Sequence, residues 1–132
     1  MTQTITQKVI FKNTTPKELY ELYMNAEKHS EIIGDVVKIS DKEGTVFRAY
    51  DTYITGKNLQ LIKDSLIVQS WRADDWDKED MDSTFIIKLE TKGKDVVLKM
   101  THANVPETQA EALKRGWNDF YWEPWKEYIK RK

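Results

Sequence analysis

The stretch Gly116-Trp117-Asn118-Asp119-Phe120-Tyr121-Trp122-Glu123-Pro124-Trp125-Lys126-Glu127-Tyr128-Ile129 decides the fold. It holds three of the chain's five tryptophans and two of its six tyrosines. Wound as an α-helix at about 100° per residue, it brings Leu113, Trp117, Phe120, Tyr121, Pro124 and Tyr128 onto one stripe, with Trp125 at its edge. Trp122 falls well outside the stripe. Each such ring buries roughly 150–250 Å², so the helix needs a large concave surface to receive it. The rest of the chain reads mostly as strands. A long terminal helix clasped by a curved sheet is the expected architecture, with a cavity between them as the place to look for function. Pro124 lacks an N–H and crowds the carbonyl of Phe120, which predicts a bend.

Upstream, residues 4–11 are β-rich and read as the first strand. Thr15-Pro16-Lys17-Glu18 is a capping box, with Thr15 as N-cap, Pro16 at the first helical position and Glu18 reaching back. Leu19, Leu22, Tyr23 and Ala26 recur at helical spacing and predict a helix over 16–24. Asn25 caps a second short helix through Glu27, His29 and Ile32, and Gly34 ends it. Short β runs follow at 36–40, 45–50, 52–62, 65–72, 83–91 and 95–103. The turn 41–44 opens the second of these, and Lys92-Gly93-Lys94 is a three-residue hairpin loop between the last two. Neighbouring strands joined by short loops make an antiparallel meander. A final helix opens at Pro106 and Glu107 and runs almost to the C-terminus. The order is β-α-α-β(5–6)-α, an α+β chain.

The 132 residues suit one domain spanning 1–132, and 33% charged residues give a highly charged surface. A formal net charge of −1 gives no electrostatic case for nucleic acid or an anionic membrane. The absence of cysteine rules out disulfides and thiolate chemistry. The N-terminus lacks the apolar core of a signal peptide, and no apolar run approaches the ~20 residues that span a bilayer. The expected location is the cytoplasm.

The element order, together with several motifs, resembles a known family. These motifs are Gly44-Thr45-Val46-Phe47 leading to Ile54-Thr55-Gly56-Lys57-Asn58-Leu59, then Ile67-Val68-Gln69-Ser70-Trp71-Arg72 followed by Trp76. Thr101-His102-Ala103-Asn104-Val105-Pro106 and Gly116-Trp117 with Tyr121-Trp122 complete the set. The chain resembles the family named for the activator of the heat-shock protein 90 ATPase, in its C-terminal domain type. That family lies within the START-related (SRPBCC) helix-grip superfamily. The resemblance implies a helix-grip fold and either of two functions: binding an apolar small molecule under the long helix, or acting as a co-chaperone-like partner of heat-shock protein 90 that stimulates its ATPase. The eukaryotic activator carries an additional N-terminal domain that makes much of the chaperone contact. The 132 residues leave no room for it, so the expectation ranks the small molecule first.

The candidate cavity residues are Gly116, Trp117, Phe120 and Tyr121 on the helix, and Trp71, Phe85, Ile87, Leu98 and Met100 on the sheet. The same side chains also suit a filled core. Trp122 is a candidate partner contact, or else it packs on the first strand or a short helix. Trp76 sits in an acidic loop, 74–82, with six acidic residues in nine. It is either a second partner contact or an anchor holding that loop to the sheet. The loop does not match the EF-hand spacing. His29 and His102 are far apart, with no ligand-spaced motif around either, so no metal site and no cofactor are expected. Lys126, Lys130, Arg131 and Lys132 complement the helix C-terminus. With no nucleophile elbow, no phosphate-binding glycine loop and no nucleophile–base pair, the expected function is non-catalytic.

Overall fold

The computed structural model describes residues 1–131; Lys132, the end of the expected basic tail, lies outside them. Six strands, β1 (Thr2–Phe11), β2 (Val46–Ala49), β3 (Ile54–Ile62), β4 (Leu66–Ala73), β5 (Ser83–Lys92) and β6 (Asp95–Pro106), form one antiparallel sheet ordered β1-β6-β5-β4-β3-β2. Helices α1 (Pro16–Met24) and α2 (Ala26–Ile33) follow β1. The C-terminal segment is α3 (Ala110–Trp117), a π-helical turn (Asn118–Trp122) and α4 (Glu123–Lys130). This is the expected helix-grip arrangement.

Alternation puts one face of each strand into the core. Ile67, Gln69, Trp71 and Ala73 on β4, Phe85, Ile87 and Leu89 on β5, and Leu98, Met100 and His102 on β6 are all buried. The helices cover that face. Thr15 caps α1 by accepting from the Glu18 N–H at 3.2 Å, while the Thr14 hydroxyl donates to the Glu18 carboxylate. Asn25 caps α2 by accepting from the Lys28 N–H, and Gly34 ends it at φ 72°.

Four local expectations are revised. Residues 36–40 form no strand. Only Lys38 bridges Arg48, because the Ser30 and Asp35 side chains capture the Val37 and Val36 amides. β2 stops at Ala49 because Tyr50 and Asp51 take positive φ, 51° and 61°. β6 runs on to Pro106, pairing with Thr2 and Gln3 across a bulge next to Asn104, which sits at φ 64°. The β5–β6 loop has two residues, since Lys92 already pairs with Asp95.

The largest revision concerns the aromatic helix. Pro124 has no N–H to give Phe120, so the hydrogen-bond ladder must break there. The chain meets that break with a wide turn: the Glu123 N–H reaches the Asn118 carbonyl, five residues back. Residues five apart, rather than three or four, then stand one above the other. Trp117 and Trp122 stack at 5.9 Å and 19°, and Trp122 is only 1% exposed. Phe120 swings outward to 57% exposure. Trp122 is therefore no exposed partner contact. It packs on β1 against Phe11, and its indole donates to Gln7 Oε1 at 2.7 Å.

Candidate functional site

A cavity of about 430 Å³ opens between the β2–β4 end of the sheet and the C-terminal helical segment. Its sheet wall is Tyr50, Tyr53, Ile54, Trp71, Ala73 and Trp76. Its helix wall runs from Gln109 and Ala112 through Leu113, Gly116, Trp117, Phe120 and Tyr121, with Asp35 at the side. The volume lies within the ~300–1,000 Å³ of small-molecule sites. Gly116 keeps the helix wall open: a Cβ there would meet only Phe120 Cδ2, at 3.8 Å.

Five of the nine candidate cavity residues therefore meet at this space: Trp71, Gly116, Trp117, Phe120 and Tyr121. Phe85, Ile87, Leu98 and Met100 do not border it. They are sealed at 1% exposure or less under the helix, where Phe85 stacks on Trp117 at 4.2 Å and 8°. Strand position explains the division, for the space lies toward β2–β4 and these residues sit on β5 and β6. Sequence alternation marks which face is inward, but not which end of the sheet the helix leaves uncovered. Tyr50, Tyr53 and Leu113 were missed for the same reason, although two aromatic residues flanking a turn were a readable signal.

Trp76 also borders the cavity, at 6% exposure. Its ring lies 5.7 Å from Trp71, and the Arg72 guanidinium sits 6.0 Å over it. Arg72 donates to the carbonyls of Asp77 and Asp80 and to the Asp82 carboxylate. The acidic loop thus closes around one arginine, with Trp76 as its anchor on the sheet. Trp76 is not an exposed hot spot.

Behind the cavity wall, two buried histidines hold the helix to its bed. Trp117 Nε1 can only donate, so the 3.1 Å contact makes His102 Nδ1 the acceptor. His102 Nε2 then carries the proton and donates to Ser83 Oγ at 2.7 Å, and the Ser83 hydroxyl donates a hydrogen bond to the Trp71 carbonyl. His29 has the opposite tautomer. Its Nδ1 donates to the Tyr23 carbonyl, and its Nε2 accepts from the Tyr121 hydroxyl, both at 2.8 Å. A third run connects the Tyr23 hydroxyl to Gln69, Gln69 to Asn58 and Asn58 to the Ser40 carbonyl. Burial holds His102 down to about 3 and His29 to about 4, and raises the Tyr121 phenol well above its usual range. All three groups stay neutral near pH 7 and serve as structural links. Among the described residues no cluster of three or more histidines and carboxylates is placed to hold a metal ion.

Two other polar atoms in the wall residues have no partner: the Tyr50 hydroxyl and Trp76 Nε1. An unpaired buried polar group costs about 1–3 kcal/mol. Tyr50 also adopts φ 51°, a conformation bulky residues rarely take, and its ring meets Phe120 edge-on at 6.3 Å.

Among the described residues no helix is long and apolar enough to cross a membrane. Comparison with known proteins finds a match over residues 13–130 to the family model described as "Activator of Hsp90 ATPase homolog 1-like protein". The activator of 90 kDa heat shock protein ATPase homolog of Dictyostelium discoideum is 28% identical over 104 residues, covering 78% of this chain and 27% of that protein. The human homolog 1 is 26% identical over 110 residues, covering 83% and 32%. The chain thus spans less than a third of the length of these curated relatives. A crystal structure of an HSP90 activator from Plasmodium falciparum superposes with a TM-score of 0.81 at 24% identity, covering 93% of this chain and 91% of the other, which supports the fold. With nearly its whole length matched by the family model, the chain belongs to the family of Activator of Hsp90 ATPase homolog 1-like proteins.

Proposed function

We propose that this chain is a non-catalytic binding domain that takes an apolar small molecule between its C-terminal helical segment and the sheet. The cavity carries this reading. It is bounded largely by aromatic and aliphatic side chains, and Gly116 holds it open at mid-helix. The histidines nearest to it are neutral and committed to hydrogen bonds, which leaves them no role as general acid or base near pH 7. Equilibrium dialysis of diphenylmethane against the wild type and Gly116→Trp tests it. The wild type is expected to retain the probe. Gly116→Trp fills the space and releases it while the melting temperature holds. No retention by the wild type of this probe or of its ketone counterpart benzophenone would overturn the reading.

A second reading is a co-chaperone-like interaction with heat-shock protein 90, which the relatives' names support. With Trp76 and Trp122 buried, the contact must use another surface. The outer sheet face offers one: Lys8, Lys99 and Lys88 are cross-strand neighbours on three adjacent strands, all exposed. Among the described residues only Lys99 of the three has an ion-pair partner, Glu90 at 3.6 Å. Like charges in register repel, and an acidic partner surface would relieve them. Lys88→Glu should weaken a measured chaperone association and its salt dependence. An unchanged association would rule this face out.

A further inference from the structure

Two residues of the cavity wall, Tyr50 and Trp76, each carry a buried polar atom without a partner, which narrows the class of ligand and rests on the cavity reading above. Four buried side-chain polar atoms among the described residues lack partners: Tyr50 Oη, Asp64 Oδ1, Trp76 Nε1 and Trp125 Nε1. Two of these four belong to residues that border the same cavity. By contrast, the Tyr121 hydroxyl, the Trp117 indole and the Tyr53 hydroxyl, also in its wall, are committed to His29, His102 and Asp75. Natural interiors pair their buried polar groups, so a shared exception calls for a partner.

We infer that the cavity selects a neutral, mainly apolar ligand carrying a hydrogen-bond acceptor, such as a ketone carbonyl, with the Trp76 indole N–H and the Tyr50 hydroxyl as donors. An indole nitrogen donates and never accepts. The Tyr50 phenol stays protonated, since burial and the Asp35 carboxylate push it up to about 12. Both groups therefore offer protons and want an acceptor. Asp35 borders the same space and disfavours an anionic acceptor. A cation is opposed by the two positive N–H and O–H dipoles. The backbone supports the assignment. Tyr50 and Asp51 hold consecutive positive φ values in the short β2–β3 turn, a conformation that fixes the Tyr50 ring over the cavity against Phe120. Both atoms are shut off from solvent in this structure, so the acceptor reaches them by displacing wall side chains, and Phe120, exposed and in contact with the Tyr50 ring, is the one it would displace at the hydroxyl.

Benzophenone and diphenylmethane form a matched pair, two phenyl rings joined by a carbonyl or by a methylene. Equilibrium dialysis of the full chain should show benzophenone bound at least about tenfold more tightly. Tyr50→Phe and Trp76→Phe should each reduce that ratio toward one by weakening benzophenone while leaving diphenylmethane nearly unchanged. Equal binding of the two probes by the wild type would overturn the inference and leave the cavity reading standing, as would a ratio that survives both variants. Failure of both probes to bind would overturn the cavity reading itself. If a variant melts early, the wild-type ratio still decides.

Discussion

Acidification from neutral pH to about 5 should remove a large share of this protein's stability, and two buried histidines should account for it. Unfolded, each imidazole titrates near 6.5; folded, burial holds His29 at about 4 and His102 at about 3. The unfolded chain therefore binds more protons throughout the interval between these values. Stability is fully present above about pH 6.5 and is lost as pH falls. At about pH 5 each histidine takes up nearly one proton on unfolding, which removes about 2 kcal/mol apiece and about 4 kcal/mol together. That compares with a total of about 5–15 kcal/mol for a typical domain. Carboxylates contribute in a separate window. The Asn13 N–H and Lys12 hold Asp95 below its usual range, so its share is lost only at still lower pH. The assay is urea unfolding followed by tryptophan fluorescence at several pH values, with His29→Gln and His102→Gln alongside. Each variant should lose about half of the dependence between pH ~7 and ~5. A wild-type change under about 1 kcal/mol in that window, or full dependence in both variants, would refute the reasoning.

Gly56→Ala should destabilise by about 3 kcal/mol or more, because a Cβ there would fall on the Ser70 carbonyl oxygen and 2.6 Å from Phe47 Cε1; thermal melts read this directly. Trp117→Phe removes the donor to His102 Nδ1 and should cost about 1–3 kcal/mol in urea unfolding, with cavity effects added. Thr15→Ala removes the α1 cap and should cost about 1 kcal/mol by the same measurement. Lys88→Glu relieves repulsion with Lys99 and should hold or raise the melting temperature, so any lost partner binding would not come from unfolding.

The elements legible in the sequence were those set by local chemistry. Thr15 and Pro16 announce one helix, Asn25 and Gly34 bound the next, and period-two alternation marks the inward face of β4, β5 and β6. The aromatic load of residues 116–129 requires a sheet to cover it, whatever the details. The alternation at Phe85 and Ile87 also showed that they point inward, yet it was silent on whether they face a space or a neighbour. They meet the Trp117 ring and the core, whereas Trp71, one strand away, meets the cavity.

The sequence by itself determined the order of elements, the inward faces and the need for a clasped terminal helix, because capping, turn chemistry and side-chain periodicity act over a few residues. Only the tertiary structure decided that a five-residue turn before Pro124 buries Trp122 and exposes Phe120, that Arg72 folds the acidic loop over Trp76, and that the cavity lies at the β2–β4 end. Those outcomes depend on which surfaces meet across the fold. A helix can widen by one residue per turn when long-range packing of Phe11, Trp117, Trp122 and Trp125 offsets the imperfect local ladder.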